Sequence, residues 1–290
     1  MQLDVTMNYY QGCKGILEGT EDEKRAQLFA MEKTGLWVAS SKIDGEWAAV
    51  HGGQPLTVMS RNDLPHQSHG LPSFPKGTLV VGELAEGSQS AVKLRQKMGH
   101  PFIDCFDILF FNNVCWADKP LLDRLNMLKT WHSKLWDSAK PFYRLLPVWT
   151  KDFVNHYDSE EEGLVLKRID GGSYIPGTKV SHWIKVKKEM TVDGVVMDWV
   201  QSTAATKSSV PMVKNVIVGQ YVNGVLQEIA RPGNIPHGLS MDMAANFGNY
   251  RGKVMEIKAY ARFDSGKLRH PAYLRMRTDK TPAECVWDKQ

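Results

Sequence analysis

The chain has 290 residues, 42% hydrophobic and 23% charged, with a formal net charge of +4. This is ordinary globular composition, enough for a sizeable core and for two domains or one large one. No apolar run approaches the roughly eighteen residues of a membrane helix, and the amino terminus lacks a signal layout, so neither a membrane anchor nor export is expected.

Cys13, Cys105, Cys115 and Cys285 show no C-x-x-C spacing and read as reduced thiols of a cytosolic protein, or of a host-cell interior if the source is viral. Charge is uneven along the chain. Residues 191–290 hold 13 Lys and Arg against 9 Asp and Glu, whereas the first 190 residues balance. A basic face of this kind attracts a polyanion such as nucleic acid.

In chain order, "EDEKRAQLFAMEKT" (21–34) predicts a helix with acidic residues at its start. From Gly35 to Ser60 the alternating pattern, with a turn at Gly52-Gly53, predicts a β-hairpin carrying Lys42 near its middle. Gly77 to Leu84 and Phe102 to Phe111 are further strands. "PLLDRLNMLKTWHSKLWD" has helical spacing, with Leu121, Leu125 and Leu128 on one face. Short strands at Gly163–Lys167 and Trp183–Lys187 flank a Gly/Pro turn. A new strand series starts at Val192, with turns at Asn223-Gly224 and Pro232-Gly233, which fits a small β-barrel. The expected domains are 1–190 and 191–290.

Chemistry concentrates in an ordered series. It begins with Lys42-Ile43-Asp44-Gly45 and Ser60-Arg61, then "VGELAEG" with Glu83 and "FDILFF" with Phe106. "EGLVLK" with Glu162 and Lys167 follows, then "WIKVKK" with Lys185 and Lys187, and last "LRMRTDK". A lysine amine can be a nucleophile once its proton is removed, and nearby cations favour that form. Lys185 and Lys187 alternate on a strand, so both are expected on one face. Glu162 offers a hard oxygen ligand suited to Mg²⁺.

From about residue 36 to residue 280 this series resembles the ATP-dependent DNA ligases of the covalent nucleotidyltransferase superfamily, in a minimal two-domain form. The resemblance implies an α+β fold. An adenylation domain with antiparallel sheets and flanking helices would be followed by a small oligonucleotide-binding (OB-fold) barrel that binds DNA. It implies that Lys42 is the nucleophile, with Asp44 shaping the turn beside it, and that Lys185 and Lys187 contact phosphate. Ser41, Arg61, Glu83, Phe106 and Glu162 would complete the nucleotide site, Phe106 stacking on adenine. Glu162 and Glu83 would face the metal, Mg²⁺ with Mn²⁺ able to substitute. Arg277, Asp279 and Lys280 match the R-x-D-K motif that orients pyrophosphate. Arg61, Trp47 and Lys188 are assigned to DNA.

The implied activity is sealing of 3′-OH/5′-phosphate nicks in duplex DNA by a monomer using ATP, with no protein partner identifiable. An mRNA-capping guanylyltransferase and an RNA ligase of the same superfamily are the alternatives; a non-enzymatic nucleic-acid-binding relic would have lost Lys42 or its lysine partners, and none is lost. Two departures stand out. Trp47 occupies the place of an arginine in the family's first motif, where packing against core or against DNA are both open. Only 41 residues precede Lys42, so the large amino-terminal DNA-binding domain of bigger ligases is not expected. "QSTAATKSSVPM" is likewise too short for a DNA-encircling hairpin.

Overall fold

The computed structural model describes residues 3–4, 7–66, 70–85, 95–202 and 211–287. The segment expected to be too short for an encircling hairpin lies largely outside the described residues. Among them no helix is long and apolar enough to cross a membrane. The chain forms two compact units, Met1–Lys187 and Lys188–Gln290.

The first unit runs β1 (Gln11–Ile16), α1 (Glu21–Lys33), β2 (Trp37–Ser41), β3 (Glu46–His51), β4 (Thr57–Ser60), β5 (Leu79–Leu84) and β6 (Ile103–Phe111). It continues through β7 (Val114–Cys115), α2 (Leu121–Ser133), β8 (Tyr143–Leu145), α3 (Phe153–Ser159), β9 (Gly163–Arg168) and β10 (Thr178–Lys187). Helix α1 starts at a capping box: the Thr20 hydroxyl accepts from the Glu23 amide, and the Glu23 carboxylate accepts from the Thr20 amide. Two sheets result. One has the order β1-β10-β9-β2; the other has β4-β3-β5-β6-β7, with β8 parallel to β6.

The Lys42 region departs from the expected hairpin. β2 pairs with β9, while β3 pairs with β4 and β5 in the other sheet, so the chain changes sheets between Ser41 and Glu46. The dipeptide itself explains this. A two-residue hairpin of the favoured type needs positive φ at both positions. Asn223 (φ 50) and Gly224 (φ 77) have it and do join two paired strands, whereas neither Asp44 nor Gly45 does. Gly45 serves close approach instead, since a Cβ there would meet the Leu84 carbonyl oxygen at 2.3 Å. The Gly52-Gly53 turn does close a hairpin, between β3 and β4.

Leu28, Phe153, Tyr157, Leu164 and Val186 pack one sheet against α1 and α3. Val50, Val80, Ile108, Leu128 and Trp131 pack the other against α2. A third cluster, with Tyr9, Trp47, Leu79, Phe110, Val180 and Trp183, joins residues of both sheets. Arg124 on α2, buried, makes a two-point ion pair with the fully buried Asp107 (2.9 and 3.0 Å).

The second unit contains β11 (Met190–Gln201), β12 (Val213–Val222), β13 (Val225–Ala230), α4 (His237–Ala245), β14 (Val254–Ala259), β15 (Ala261–Arg262), β16 (Leu268–Arg269) and β17 (Ala272–Arg277). Its strand series begins at Met190, two residues before the expected start. The sheet order is β13-β12-β11-β14-β17, antiparallel throughout. Gly233, just beyond β13, bridges to Ala272 at the opposite edge strand and so curls the sheet toward closure. Val196, Val216, Val218, Met243, Met255 and Ile257 fill its core.

Candidate active site

Lys42 stands where the chain leaves one sheet for the other. Its amide donates to the Gly163 carbonyl at 2.9 Å, which continues the β2–β9 ladder by one residue. Gly163 has φ 105, and a Cβ there would lie 2.0 Å from the Val186 carbonyl oxygen, so only glycine fits. Glu162 immediately precedes it, and Lys42 Nζ donates to Glu162 Oε2 at 2.5 Å. One main-chain contact therefore sets both the lysine and its carboxylate.

Beside Lys42 opens a cavity of about 560 Å³, the size range of small-molecule sites. Ser41, Lys42, Trp47, Arg61, Glu83, Phe106 and Lys185 all line it. Seven residues far apart in the chain are thus brought to one place. Asp44 and Glu162 lie beside it, close enough to act on Glu83. Burial pushes the Glu83 carboxyl up to about 7, against the pull of Lys42 and Lys185; Glu162 and Asp44 add to the rise. Lys187 is not on the wall: its carbonyl, at the end of β10, accepts from Lys24 Nζ (2.8 Å) and the Tyr157 hydroxyl (3.1 Å). The strand alternation that places Lys185 does not bring Lys187 to the cavity.

Trp47 is 8% exposed, its ring edge-on to Tyr10 with centroids 5.4 Å apart. It packs within the third cluster and also lines the cavity. Arg61, by contrast, is exposed at the rim.

Sequence reasoning missed part of this wall. Gln11, Gly12 and Cys13 come from β1 and Tyr10 immediately precedes it; the parallel partner β10 is far away in sequence, and this short glycine-containing stretch carries no alternating signal. Trp183 and Lys167 also line the cavity. Lys167 sits in "EGLVLK", and the alternation Val165, Lys167 along β9 was the available signal.

Among the described residues no group of three or more His, Cys, Asp or Glu is arranged to hold a metal. Glu83 and Glu162 nonetheless fit Mg²⁺, which takes one or two carboxylates and completes its shell with water and substrate phosphate.

In the second unit, Arg277 makes two bonds to Asp279 (2.7 and 2.6 Å), and its Nη1 also reaches Asp193 at 3.3 Å. Lys280 Nζ donates to Asp193 at 2.5 Å. These bonds hold the Asp279 carboxyl well below its ordinary range and raise Arg277. Asp193, which the sequence did not single out, is the hub. Lys188, half-buried, opens this unit.

Residues 74–187 match the family model described as "ATP dependent DNA ligase domain". The chain is 28% identical over 198 residues to a probable DNA ligase of Pseudarthrobacter chlorophenolicus, covering 58% of this chain and 37% of that one. It is 26% identical over 292 residues to a DNA ligase of Archaeoglobus fulgidus, covering 82% and 51% respectively. The chain thus spans about half, or less, of the length of these curated relatives. Its fold is similar to that of a solved structure described as a Lig E DNA ligase with a minimal DNA-binding scaffold (TM-score 0.62, 19% identity, 84% of this chain and 93% of that one). The matched segment lies within the first unit, so the chain is similar to ATP-dependent DNA ligases there, and its fold is that of a nucleotidyltransferase unit followed by an OB-fold unit.

Proposed function

We propose that the protein is an ATP-dependent DNA ligase that seals 3′-OH/5′-phosphate nicks in duplex DNA, acting as a monomer in the cytoplasm. The observation that carries the reading is Lys42, tethered by its main chain at the mouth of a cavity that also gathers Glu83, Phe106 and Lys185. Phe106 offers a ring for the base, and Lys185 a cation for the phosphates. The Lys42 amine, having lost a proton, attacks the α-phosphorus of ATP. A P–N bond forms, the P–O bond to pyrophosphate breaks, and lysyl-AMP remains. The 5′-phosphate of the nick then takes the AMP from Lys42, and the 3′-OH displaces AMP to close the strand. Mg²⁺ held near Glu83 and Glu162 would neutralise phosphate charge. Arg277, Asp279 and Lys280 are read as the group that orients pyrophosphate, and Arg61 and Lys188 as DNA contacts.

The second unit supplies the basic surface for DNA. Among the described residues at least six of the nine Lys and Arg between Arg251 and Lys280 form ion pairs within the unit, so the field they offer a duplex is weaker than their number suggests.

The test is one gel and one mass spectrum. With ATP and Mg²⁺ the protein should gain one AMP on a Lys42 peptide and seal nicked duplex. Lys42→Ala should do neither, while labelling by GTP in place of ATP would overturn the reading.

A further inference from the structure

We propose that the segment after the Arg277–Lys280 motif completes a phosphate-binding fork in the second unit. Trp287 and Gly266 hold the Arg262 guanidinium, and the fork takes a backbone phosphate of duplex DNA. This rests on the chain being a DNA ligase and names the residue that anchors its second unit to the substrate.

Arg262 is an exception among the cations of its unit. Arg231 and Lys267 sit on Glu228, Arg275 on Glu256, and Arg277 and Lys280 on Asp193. Arg262 has no carboxylate partner among the described residues, and its bonds go to neutral oxygens. Nη1 donates to the Gly266 carbonyl at 3.0 Å, and Nη2 to Gln220 Oε1 at 2.8 Å. The guanidinium lies over the Trp287 ring, 4.9 Å from its centre. Burial lowers the pKa of this half-buried group, and no charged neighbour offsets it. A cation placed so costs stability. Leucine or methionine would cover the Trp287 ring without that cost, so packing alone gives no reason for a charge. Of the five N–H donors of an arginine, these two bonds occupy two.

Three parts of the chain fix the group in place. Arg262 pairs with Leu268 across the β15–β16 hairpin, whose turn contains Gly266 at φ 82. A Cβ at Gly266 would collide with the Trp287 ring, so only glycine lets the ring lie there. The ring is carried by Cys285–Trp287, which runs beside β12. The Tyr221 amide donates to the Cys285 carbonyl at 2.8 Å, and the Trp287 amide to the Tyr221 carbonyl at 2.9 Å. Gln220, 6% exposed, donates through Nε2 to the Asp193 carbonyl at 2.8 Å, which leaves Oε1 to Arg262. The guanidinium is therefore oriented before any ligand arrives.

A fixed planar fork with N–H groups still open matches the charge and geometry of a phosphate. Cations already paired lend a duplex little field, so an oriented, unpaired one counts for more. Arg277 and Lys280 share Asp193, whereas Arg262 forms a separate site that those charges do not shift. A polymer with a phosphate at every nucleotide can reach such a site; the pyrophosphate assigned to Arg277 and Lys280 has no need of it.

The test measures binding of nicked duplex by the full chain against salt for wild type, Arg262→Gln, Arg262→Lys and Trp287→Ala, with melting temperatures alongside. Arg262→Gln should weaken binding roughly tenfold at about 50 mM salt and lower the slope of log Kd against log salt by about 0.9, the share of one phosphate. Arg262→Lys keeps the charge without the fork, so it should keep the slope and lose affinity severalfold. Trp287→Ala frees the fork and should behave like the lysine variant; wild-type affinity there would remove the segment from the site. An Arg262→Gln variant with the wild-type slope would overturn the assignment. So would one that binds DNA normally but needs more pyrophosphate to discharge lysyl-AMP. Should the glutamine variant melt far below wild type, Arg262→Lys decides, and wild-type affinity in it sinks the fork. A wild type that does not bind nicked duplex defeats the reading of DNA as substrate. Binding that Arg262→Gln leaves intact defeats only this site.

Discussion

The two units treat their cations in opposite ways. Around the cavity of the first, Lys42, Lys167 and Lys185 share the space with Glu83, a carboxyl pushed by burial toward its neutral form. Lys42 has one carboxylate partner and Lys167 has ring faces. In the second, Arg275, Arg277, Lys280 and Lys267 each sit on a carboxylate of their own unit, with Asp193, Glu228 and Glu256 each taking two. Matched charges stabilise a fold modestly and are ready for use only if a partner is exchanged. Positive charge left short of counter-charge costs stability and is suited to receive a polyphosphate. Around the cavity, buried lysines and a buried carboxyl are thus only partly matched, although the first unit as a whole is balanced in charge.

The comparison can be broken most sharply at Lys42. Lys42→Ala should abolish the AMP adduct, read by mass, yet leave the melting temperature nearly unchanged, because its ion pair with Glu162 is partly solvated. The reverse is expected at the ion pair away from the cavity. Asp107→Asn leaves Arg124 buried beside a neutral group and should cost about 3–5 kcal/mol in urea unfolding. If both variants lost stability and activity together, the division between cavity cations and core cations would not hold.

Lys167 should show the cost of the imbalance as a function of pH. Its amine is depressed to about 8 from an ordinary 10.5, so between those values the unfolded chain binds more protons and stability rises with pH. Below pH 8 the full penalty is present, on the order of 3 kcal/mol. Lys167→Met should therefore be more stable than wild type near pH 7, by up to that amount less any loss of packing. The advantage should vanish as pH approaches 10.5. A constant difference across this range would remove the buried charge as its cause.

In the second unit, Asp193→Ala removes the acceptor shared by Arg277 and Lys280. Self-adenylylation should fall roughly tenfold, with sealing of a pre-adenylylated nick less affected. The smallest effect belongs to a surface pair: Lys267→Ala, opposite Glu228, should change stability by less than about 1 kcal/mol.

How far this arrangement was legible in the sequence varies by residue. Helix α1 announced itself through its acidic first turn, and Asn223-Gly224 marked a turn that forms. Asp44-Gly45 looked similar and is not a hairpin, because turn propensity is local while the choice of sheet is made by β9 and β5, distant in sequence. The order of Lys42, Glu83, Phe106 and Lys185 pointed to the cavity only through its resemblance to a known family, since their intervals follow no regular period. Trp47 could not be placed from the chain, because only the contact with Tyr10 decides which way it faces. Alternation puts Lys187 on the strand face of Lys185, but it does not tell how far along the strand the cavity wall reaches. Asp193 was invisible for the same reason as β1: its partners lie more than eighty residues away.

The tether between the Lys42 amide and the Gly163 carbonyl has a consequence for divergence. The address of the attacking nitrogen is set by backbone geometry and by one glycine that no larger residue can replace, while the cavity walls are made of side chains. Substitutions at Cys13, Val165, Trp183 or Leu146 can drift, altering which nucleotide is welcome, without relocating the reactive atom. A lineage or a designer could therefore retune the guest and keep the chemistry, provided that Gly163 is left alone.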